Sequence, residues 1–333
     1  MGHAGKALVG LAACLGIWSA TTLAASATPP PKPVPPRPPS WAYPGNPQPP
    51  PGAPKPKPDP RPYTVPGSKL MFTRAQLNLF NPPDWHPQDH PAMPPLIAHG
   101  RPPAVNACGY CHLPSGQGRP ENATLAGLPV RYFIQQMADF KSGARVSSVA
   151  HRAPADNMVA NAKAISPREV AVAAAYFARI KPHQPLTVVE TDTVPVTVEK
   201  SWILAMVPGG RREPINGRMI ETPSDLERFE KRDGRTPITV YVPRGAIARG
   251  RAIATGRTGR AEVACVSCHG QRLEGEGDIP GLKGRLPTSL VRQIYDFRSG
   301  SRHGVNAPPM RTVAVALNQR DIVDVIAYVA SLK

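Results

Sequence analysis

Cys108-Gly-Tyr-Cys111-His112 and Cys265-Val-Ser-Cys268-His269 are two copies of one pattern, Cys-x-x-Cys-His. This spacing is the attachment signature of c-type haem. Two thiols on one short turn add to the vinyl groups of a single haem, and the histidine becomes an axial iron ligand. The alternatives are a zinc site and a thioredoxin-like redox pair. Zinc needs two further ligands at each motif, and neither motif lies in a βαβ pattern. The motifs therefore predict two covalently attached haems c.

An internal repeat surrounds the motifs. An offset of 157 residues carries the first motif onto the second and Asp139-Phe-Lys-Ser-Gly143 onto Asp296-Phe-Arg-Ser-Gly300. Further on the offset is 152, because the first copy holds five extra residues before Met158. This second offset aligns four pairs: Met158 with Met310, Ala162 with Ala314, Ser166 with Asn318, and Tyr176 with Tyr328. The chain therefore contains two copies of one module, each small enough to need its haem as part of the core.

Each module is predicted to end in a helix. Ser166-Pro-Arg-Glu169 is a capping box with proline at the first helical position, and Asn318 with Asp321 repeats the box. Apolar residues follow at helical spacing: Val170, Ala173, Ala174 and Phe177, then Ile322, Val325, Ile326 and Val329. An earlier helix in each module is expected to start near Pro129 or Pro287 and to turn two residues inward: Ile134 and Met137, or Val291 and Ile294.

The second axial ligand separates electron carriers from haem enzymes. Met158 and Met310 are equivalent in the repeat and are predicted to lie in loops as iron ligands, since a thioether favours ferrous iron. The alternative is a pair of core methionines. His151 and His303 are also equivalent, either as bis-histidine ligands or as exposed loop residues. Three further histidines are expected at the surface: His86, His90 and His99.

The first residues have the pattern of a secretory signal, with Lys6, an uncharged apolar run and a cleavage site at Ala25-Ser-Ala27. Export to the periplasm suits covalent haem attachment. Cys14 also closes a lipobox-like tetrapeptide, so a lipid anchor is the minor alternative. The run of prolines that follows predicts an extended, disordered and solvated arm without a core. Between the modules, β-branched runs at Leu186 and Pro237 predict short paired strands.

The predicted divisions are a signal peptide at 1–27, a Pro-rich linker at 28–66, a first haem domain at 67–182, a connector at 183–242 and a second haem domain at 243–333. The fold class is all-α apart from a partly β connector. The net charge of +17 indicates an acidic redox partner, with membrane-surface association as a further expectation. Nucleic acid is discounted because the chain carries an export signal and no nucleic-acid motif.

The motifs, the Asp-Phe-Lys/Arg-Ser-Gly segments and a methionine before an aromatic-bearing last helix resemble class I cytochromes c in tandem, as in the cytochrome c4 type. The likeness covers residues 105–181 and 243–333. It implies His112 with Met158 on one iron and His269 with Met310 on the other. It also implies that Gly250 meets Tyr328, and that a proline carbonyl orients each histidine: Pro120 in the first module and Pro280 in the second. Residues 82–104 depart from the family's first helix.

The resulting expectation is an exported electron carrier, not an enzyme. It would pass single electrons between respiratory or periplasmic partners such as a terminal oxidase, a reductase or a dehydrogenase. The alternatives are a cytochrome subunit of a periplasmic dehydrogenase complex and a catalytic haem protein with a labile axial ligand. The second is disfavoured because a methionine stands in register in both modules.

Overall fold

The computed structural model describes residues 1–3, 5, 37–54, 60–183 and 185–333. The chain divides into a short unit, Met1–Pro35, and a large one, Pro36–Lys333, to which every element below belongs. Apart from residues 1–3 and 5, the predicted signal peptide, with its cleavage site and Cys14, lies outside the described residues. Among the residues described, no helix is both long and apolar enough to cross a membrane.

The first module is helical. Its helices are α1 (Pro95–Ala98), α2 (Cys108–His112), α3 (Val130–Ser142), α4 (Ala153–Ala164) and α5 (Pro167–Ala178). Helix α5 begins as predicted, because the Ser166 side chain accepts a hydrogen bond from the backbone N–H of Glu169. Helix α3 ends at Gly143, whose φ of 81° is the left-handed geometry that stops a helix.

The core of this module lies between α3 and α5. The Phe133 and Phe177 rings stack with their centroids 6.2 Å apart, and the predicted apolar face of α5 is buried. Met137 is buried as predicted, but the prediction for Ile134 is wrong, since 40% of it is exposed. Phe133 faces inward instead, one residue earlier, and a shift of one residue turns a side chain by about 100° around a helix.

The connector is a small mixed structure. Its strands are β1 (Leu186–Glu190), β2 (Thr193–Pro195), β3 (Thr197–Lys200), β4 (Ile203–Met206), β5 (Arg212–Pro214), β6 (Ile220–Pro223) and β7 (Ile238–Val242), with helix α6 (Leu226–Glu230) between the last two. Strand β7 pairs parallel to β1 and antiparallel to β6. The predicted pairing of the runs at 186 and 237 is confirmed. The additional strand pairs β2–β5 and β3–β4 make this region richer in strands than expected, so the fold is mainly helical in its modules and largely β in its connector.

The second module has the helices α7 (Ala246–Ala254), α8 (Val266–His269), α9 (Pro287–Ser299), α10 (Pro308–Ala316) and α11 (Gln319–Ser331), and a two-stranded ribbon of β8 (Gly275–Glu276) and β9 (Ile279–Pro280). Asn318 caps α11 as predicted, and Val291 and Ile294 face inward. Gly250 does meet α11, the helix that carries Tyr328, and its nearest neighbours there are backbone atoms of Asp324 and Val325. A Cβ on Gly250 would lie 1.8 Å from the Asp324 carbonyl oxygen. In the described residues of the first module, the one-turn α1 and two 3-10 turns, Arg74–Gln76 and Pro87–Asp89, precede the motif in place of a helix like α7.

A segment of the proline-rich region, residues 40–46 (the strap), is folded. Trp41, Ala42 and Tyr43 are buried in the core that the connector shares with the second module. The prediction of a solvated arm without a core is therefore wrong for this segment. The aromatic side chains at 41 and 43 supply the apolar area that the surrounding prolines lack.

The strap bonds to all three parts of the large unit. The Tyr43 hydroxyl lies 2.8 Å from Ser148 Oγ of the first module. Arg292 of α9 donates to the Ala42 carbonyl over 3.0 Å. In the connector, the Trp202 N–H donates to the Gly45 carbonyl over 3.0 Å. The strap therefore fastens the two modules and the connector to one another.

The modules meet through two arginines at equivalent positions of the repeat, of which Arg302 is buried and Arg145 is half-buried. Arg145 donates to Gln136 Oε1 of its own module over 2.9 Å and to Gln293 Oε1 of the other over 2.8 Å. Arg302 donates to Gln293 over 3.0 Å and to Gln136 over 2.7 Å. Each guanidinium thus bridges the same two amides from opposite sides.

Candidate haem sites

The first motif forms the short helix α2 against α1. Gly109 lies under the Ile97 carbonyl, where an added Cβ would come within 2.9 Å of the oxygen, so the helix needs glycine there. Cys108 and Cys111 are half-buried, and His112 is buried. Burial raises the pKa of the Cys108 thiol to about 12, so this sulfur is protonated at neutral pH.

His112 is held by a backbone acceptor. Its Nδ1 donates to the Ala123 carbonyl over 2.8 Å. Burial lowers the pKa of the ring, so the imidazole is neutral and its proton sits on Nδ1. Nε2 then carries a lone pair, and this buried atom has no hydrogen-bond partner among the described residues. A neutral, oriented ring with a free Nε2 is the form in which histidine ligates iron.

The second motif repeats this geometry. His269 is buried, and its Nδ1 donates to the Pro280 carbonyl over 2.7 Å. The prediction for Pro280 is confirmed. The prediction for Pro120 is wrong, because its carbonyl accepts from Arg292 instead. The offset of 157 residues takes Pro280 back to Ala123, so the repeat itself held the signal that would have identified the first acceptor.

The two methionines lie in helices and not in loops. Met158 is inside α4, and Met310 is in the first turn of α10. Each is half-buried and packs against the apolar cluster of its own module. Prolines precede both, but they act as helix-starting residues in the first turn. The loop setting expected for the pair is therefore wrong, while their equivalence in the repeat holds.

The remaining histidines divide into two groups. His151 and His303 are exposed, and Nδ1 of His303 donates to the Gly300 carbonyl over 2.9 Å. His99 is exposed as expected. The surface prediction is wrong for the other two. His86 is buried with its Nε2 2.9 Å from Asp233 Oδ1, and His90 lies 3.1 Å from Asp84 Oδ1. Both pairs hold the segment before the first motif in place.

A buried cation also lies between the modules. Arg152 is only 7% exposed, and its Nε and Nη2 have no hydrogen-bond partner in the described part of the chain. Burial lowers its pKa to about 9, and the neighbouring Arg292 charge lowers it further, while Glu121 and Asp296 act in the opposite direction. An acidic group such as a haem propionate would supply the missing hydrogen-bond acceptor. No sequence pattern marks Arg152, because it lies where the two repeat copies cease to align.

The donor set fits covalently attached haem. Each motif places two thiols and a neutral imidazole on one helical turn, with the imidazole fixed through Nδ1. Across the described ranges, no group of three or more His, Cys, Asp or Glu side chains is arranged to hold a metal ion, as the zinc alternative would require. When bound, the haem supplies a one-electron couple at its iron.

Comparisons with known proteins agree with this chemistry. The family profile for cytochrome c matches residues 247–333. Cytochrome c-554(548) of Halomonas halodenitrificans is 41% identical over 68 residues, which is 20% of this chain and 82% of the relative. Two longer matches cover both modules. The thiosulfate dehydrogenase electron acceptor of Thiomonas intermedia is 26% identical over 69% of this chain and 80% of its own. Cytochrome c4 of Pseudomonas aeruginosa is 25% identical, over 68% of this chain and 83% of the relative.

A solved structure, the thiosulfate dehydrogenase TsdBA of Marichromatium purpuratum, is 26% identical with a TM-score of 0.45. The match covers 70% of this chain but only 38% of that one. Identity over most of a single-module cytochrome, together with similarity across both modules, leads to one conclusion. The chain belongs to the cytochrome c family, carries covalently bound haem c and resembles cytochromes of the c4 type.

Proposed function

We propose that this chain is an exported dihaem electron carrier that holds one haem in each module. The observation that carries the proposal is the repeated anchoring of the two histidines. His112 and His269 each donate through Nδ1 to the carbonyl of the residue eleven positions later. The same backbone acceptor at equivalent positions prepares both rings for the same task, so both modules are built as iron sites.

The proposed ligand sets follow the repeat. Cys108 and Cys111 would hold one haem, with His112 and Met158 as the iron ligands from the protein. The equivalent residues of the second module, Cys265, Cys268, His269 and Met310, would hold the other. An iron with two protein ligands would have no place for a substrate, which suits electron transfer. The exposed setting of His151 and His303 favours methionine over histidine at the sixth position.

The chain's own residues orient the ligands and exclude water. The carbonyls of Ala123 and Pro280 fix the imidazole planes and keep the ring proton away from the iron side. The Phe133 and Phe177 stack lines the core of the first module with apolar surface. An apolar surround favours the less charged ferrous state and limits reorganisation during electron transfer.

The location and the partners belong to the same proposal. We place the protein in the periplasm because the first residues have the pattern of a secretory signal. The whole-chain charge of +17 attracts an acidic redox protein, or an anionic membrane surface, at long range. The likeness to an electron acceptor of thiosulfate dehydrogenase favours a dehydrogenase as the electron donor. A permanent cytochrome subunit of such an enzyme is the second candidate, supported by the same likeness.

Haem counting and absorption spectroscopy test the proposal. We expect two haems per chain and, in the oxidised protein, the weak far-red band of methionine-ligated ferric haem. Met158→Leu and Met310→Leu should each remove about half of that band and lower one reduction potential. Met219→Leu is the matched control, because Met219 is fully buried in the connector core. One haem per chain, or a band that survives both substitutions, would contradict the proposal.

The alternatives have separate readouts. Reduction of the purified protein by thiosulfate alone would indicate a catalytic haem protein, which the proposed ligation does not allow. A stable stoichiometric complex with a purified dehydrogenase, found by sedimentation at physiological salt, would favour the subunit. A free carrier should instead dissociate and turn over many times per enzyme molecule.

A further inference from the structure

The loops that follow the two motifs share one backbone structure. In the first, the Gly116 N–H donates to the Leu113 carbonyl, and in the second the Leu273 N–H donates to the Gly270 carbonyl, both over 2.9 Å. A second bond is repeated as well. The Leu125 N–H donates to the Gly116 carbonyl over 2.7 Å, and the Leu282 N–H donates to the Leu273 carbonyl over 2.8 Å. Because the backbones match, a difference in burial between the loops reports what lies on them.

The connector covers the first motif. Tyr110 lies between the two cysteines of the first motif in the sequence. The Arg232 guanidinium stacks 3.6 Å from the centroid of the Tyr110 ring and donates a hydrogen bond to the Tyr110 carbonyl over 2.7 Å. Arg119 stacks 3.8 Å from the Phe229 ring and donates to the Phe229 carbonyl over 2.8 Å. Gly234 lies against Leu113, where an added Cβ would come within 3.3 Å of Cδ1. The loop beneath this cover is almost entirely buried.

The equivalent face of the second module is open. Cys268 is exposed, whereas its counterpart Cys111 is half-buried. Ser267, the counterpart of Tyr110, is exposed too. So are most residues of the following loop, which we call the open loop: Gln271, Arg272, Glu274, Glu276, Gly277, Asp278 and Ile279. The Cys268 thiol, which would attach one side of the second haem, therefore lies at a surface that no described residue covers.

The open loop is also acidic, unlike the chain as a whole. Where the covered loop has Gln117, Arg119 and Glu121, the open loop has three carboxylates, Glu274, Glu276 and Asp278. Arg272 is the one basic residue within it, so residues 271–279 carry a formal charge of −2 in a chain of +17. Arg272 and Lys283 both contact Glu274. Asp278 has only a 3.6 Å contact with Arg131, whose side chain is 86% exposed.

We propose that redox partners exchange electrons with this chain at the face formed by Ser267, Cys268 and the open loop, and that the partner presents basic side chains there. On the first module the connector, through Arg232 and Phe229, occupies the equivalent face and keeps partners away. This assignment rests on the proposed dihaem function. With haem bound, the face would allow one electron to pass between the partner's cofactor and the second haem, and no bond would form or break. Long-range attraction by the +17 charge and local recognition by the open loop thus have opposite signs.

Charge reversal with small oxidants tests the proposal. Glu276→Lys alters the open loop, and Glu227→Lys makes the same change on the connector helix over the first motif, where the Glu227 side chain is 79% exposed. The reduced holoprotein is mixed with ferricyanide in a stopped-flow instrument. Two units of charge acting on this trianion at about 10 Å, with a Debye length of about 10 Å, should speed oxidation about fivefold in Glu276→Lys. A cationic cobalt phenanthroline oxidant should be slowed. Glu227→Lys should change neither rate appreciably.

A second readout does not depend on turnover. A neutral gadolinium chelate in solution should broaden the haem methyl NMR signals of the second centre more than those of the first. Equal broadening, or equal rate changes in the two variants, would overturn the proposal. A protein dimer that dissociates on Glu276→Lys would also overturn it, by assigning the face to a second copy of the chain. A haem count below two would instead reject the proposed function, so the two failures are distinguishable.

Discussion

Removing the Tyr43 hydroxyl tests whether the strap holds the modules together. In Tyr43→Phe the ring stays in place, but the 2.8 Å bond to Ser148 Oγ is lost. Longer contacts of 3.4 Å to the Arg292 carbonyl and to Asp296 Oδ1 are lost with it. Asp296 Oδ1 still accepts a hydrogen bond from the Ser148 backbone N–H over 2.9 Å, so the carboxylate does not become unpaired. The change therefore removes one good hydrogen bond and leaves one partly buried hydroxyl without its partner.

A loss of this kind costs about 1–2 kcal/mol in the free energy of unfolding. For a chain of this size, that loss corresponds to a fall in Tm of about 1.5–3 °C. Urea unfolding of the holoprotein, followed by far-UV circular dichroism and by haem absorbance, measures it. Tyr241→Phe is the matched control, because Tyr241 is a half-buried tyrosine of strand β7 outside the strap.

The two probes add a second criterion. Because the strap bonds to both modules and the connector, the wild-type transitions by the two probes should coincide. In Tyr43→Phe the urea midpoint measured by haem absorbance should fall by the same amount as the midpoint measured by circular dichroism. The reasoning would be refuted if the midpoint matched that of wild type or of Tyr241→Phe, since the hydroxyl would then contribute nothing to the contact between modules.

Three further substitutions test other parts of the fold. Gly250→Ala places a methyl group 1.8 Å from the Asp324 carbonyl oxygen and should cost about 2 kcal/mol despite the better helix propensity of alanine; an unchanged thermal midpoint would contradict the close helix contact. Arg302→Gln removes the guanidinium that bonds to both modules, and it should lower the free energy of unfolding by about 3 kcal/mol. Calorimetry measures this loss and shows whether the modules then unfold separately. A single transition at the wild-type temperature would argue against the bridge. The Glu169 carboxylate accepts hydrogen bonds from the Arg101 side chain and from the Ser166 backbone N–H at the start of α5, and these bonds lower its pKa to about 2. The folded pKa lies below the unfolded one, so this stabilisation is full above about pH 4.5 and is lost as the pH falls toward 2; the unfolding free energy of Glu169→Gln should therefore depend less on pH across this window than that of wild type, and parallel curves would refute the pairing.

The haem chemistry and the terminal helices were predictable because their signals are local. Two thiols and a histidine must lie within five residues, and a capping box fixes a helix start within four. Pro280 was expected for a different reason, because the family that the chain resembles orients its histidine with a proline carbonyl after the motif. In the first module, the His112 ring donates to the carbonyl of an alanine, whose side chain gives no sequence signal for this role. Ala123 is identified when the repeat offset of 157 is applied to Pro280.

The strap and the extra strands of the connector were not predictable because they depend on distant partners. Proline composition indicates a solvated arm, but Trp41 and Tyr43 bury their rings against residues far away in the chain. The β-branched runs at 186 and 237 did predict the pairing of β1 with β7, but the short strands β2 to β5 pair through contacts that leave little trace in a short window. The methionine setting failed for another reason. Proline near Met310 was interpreted as a loop signal, although proline is also common in the first turn of a helix.

The reciprocal bonds of Arg145 and Arg302 give the contact between the modules an internal symmetry. Residue for residue, each copy offers the other the same arginine and the same glutamine, as in an isologous interface with two-fold symmetry. A substitution at one position of the repeat therefore removes half of a matched set and leaves its counterpart in the other module intact. The strap and the connector lie outside the repeat, so their contacts are what make the two modules unequal.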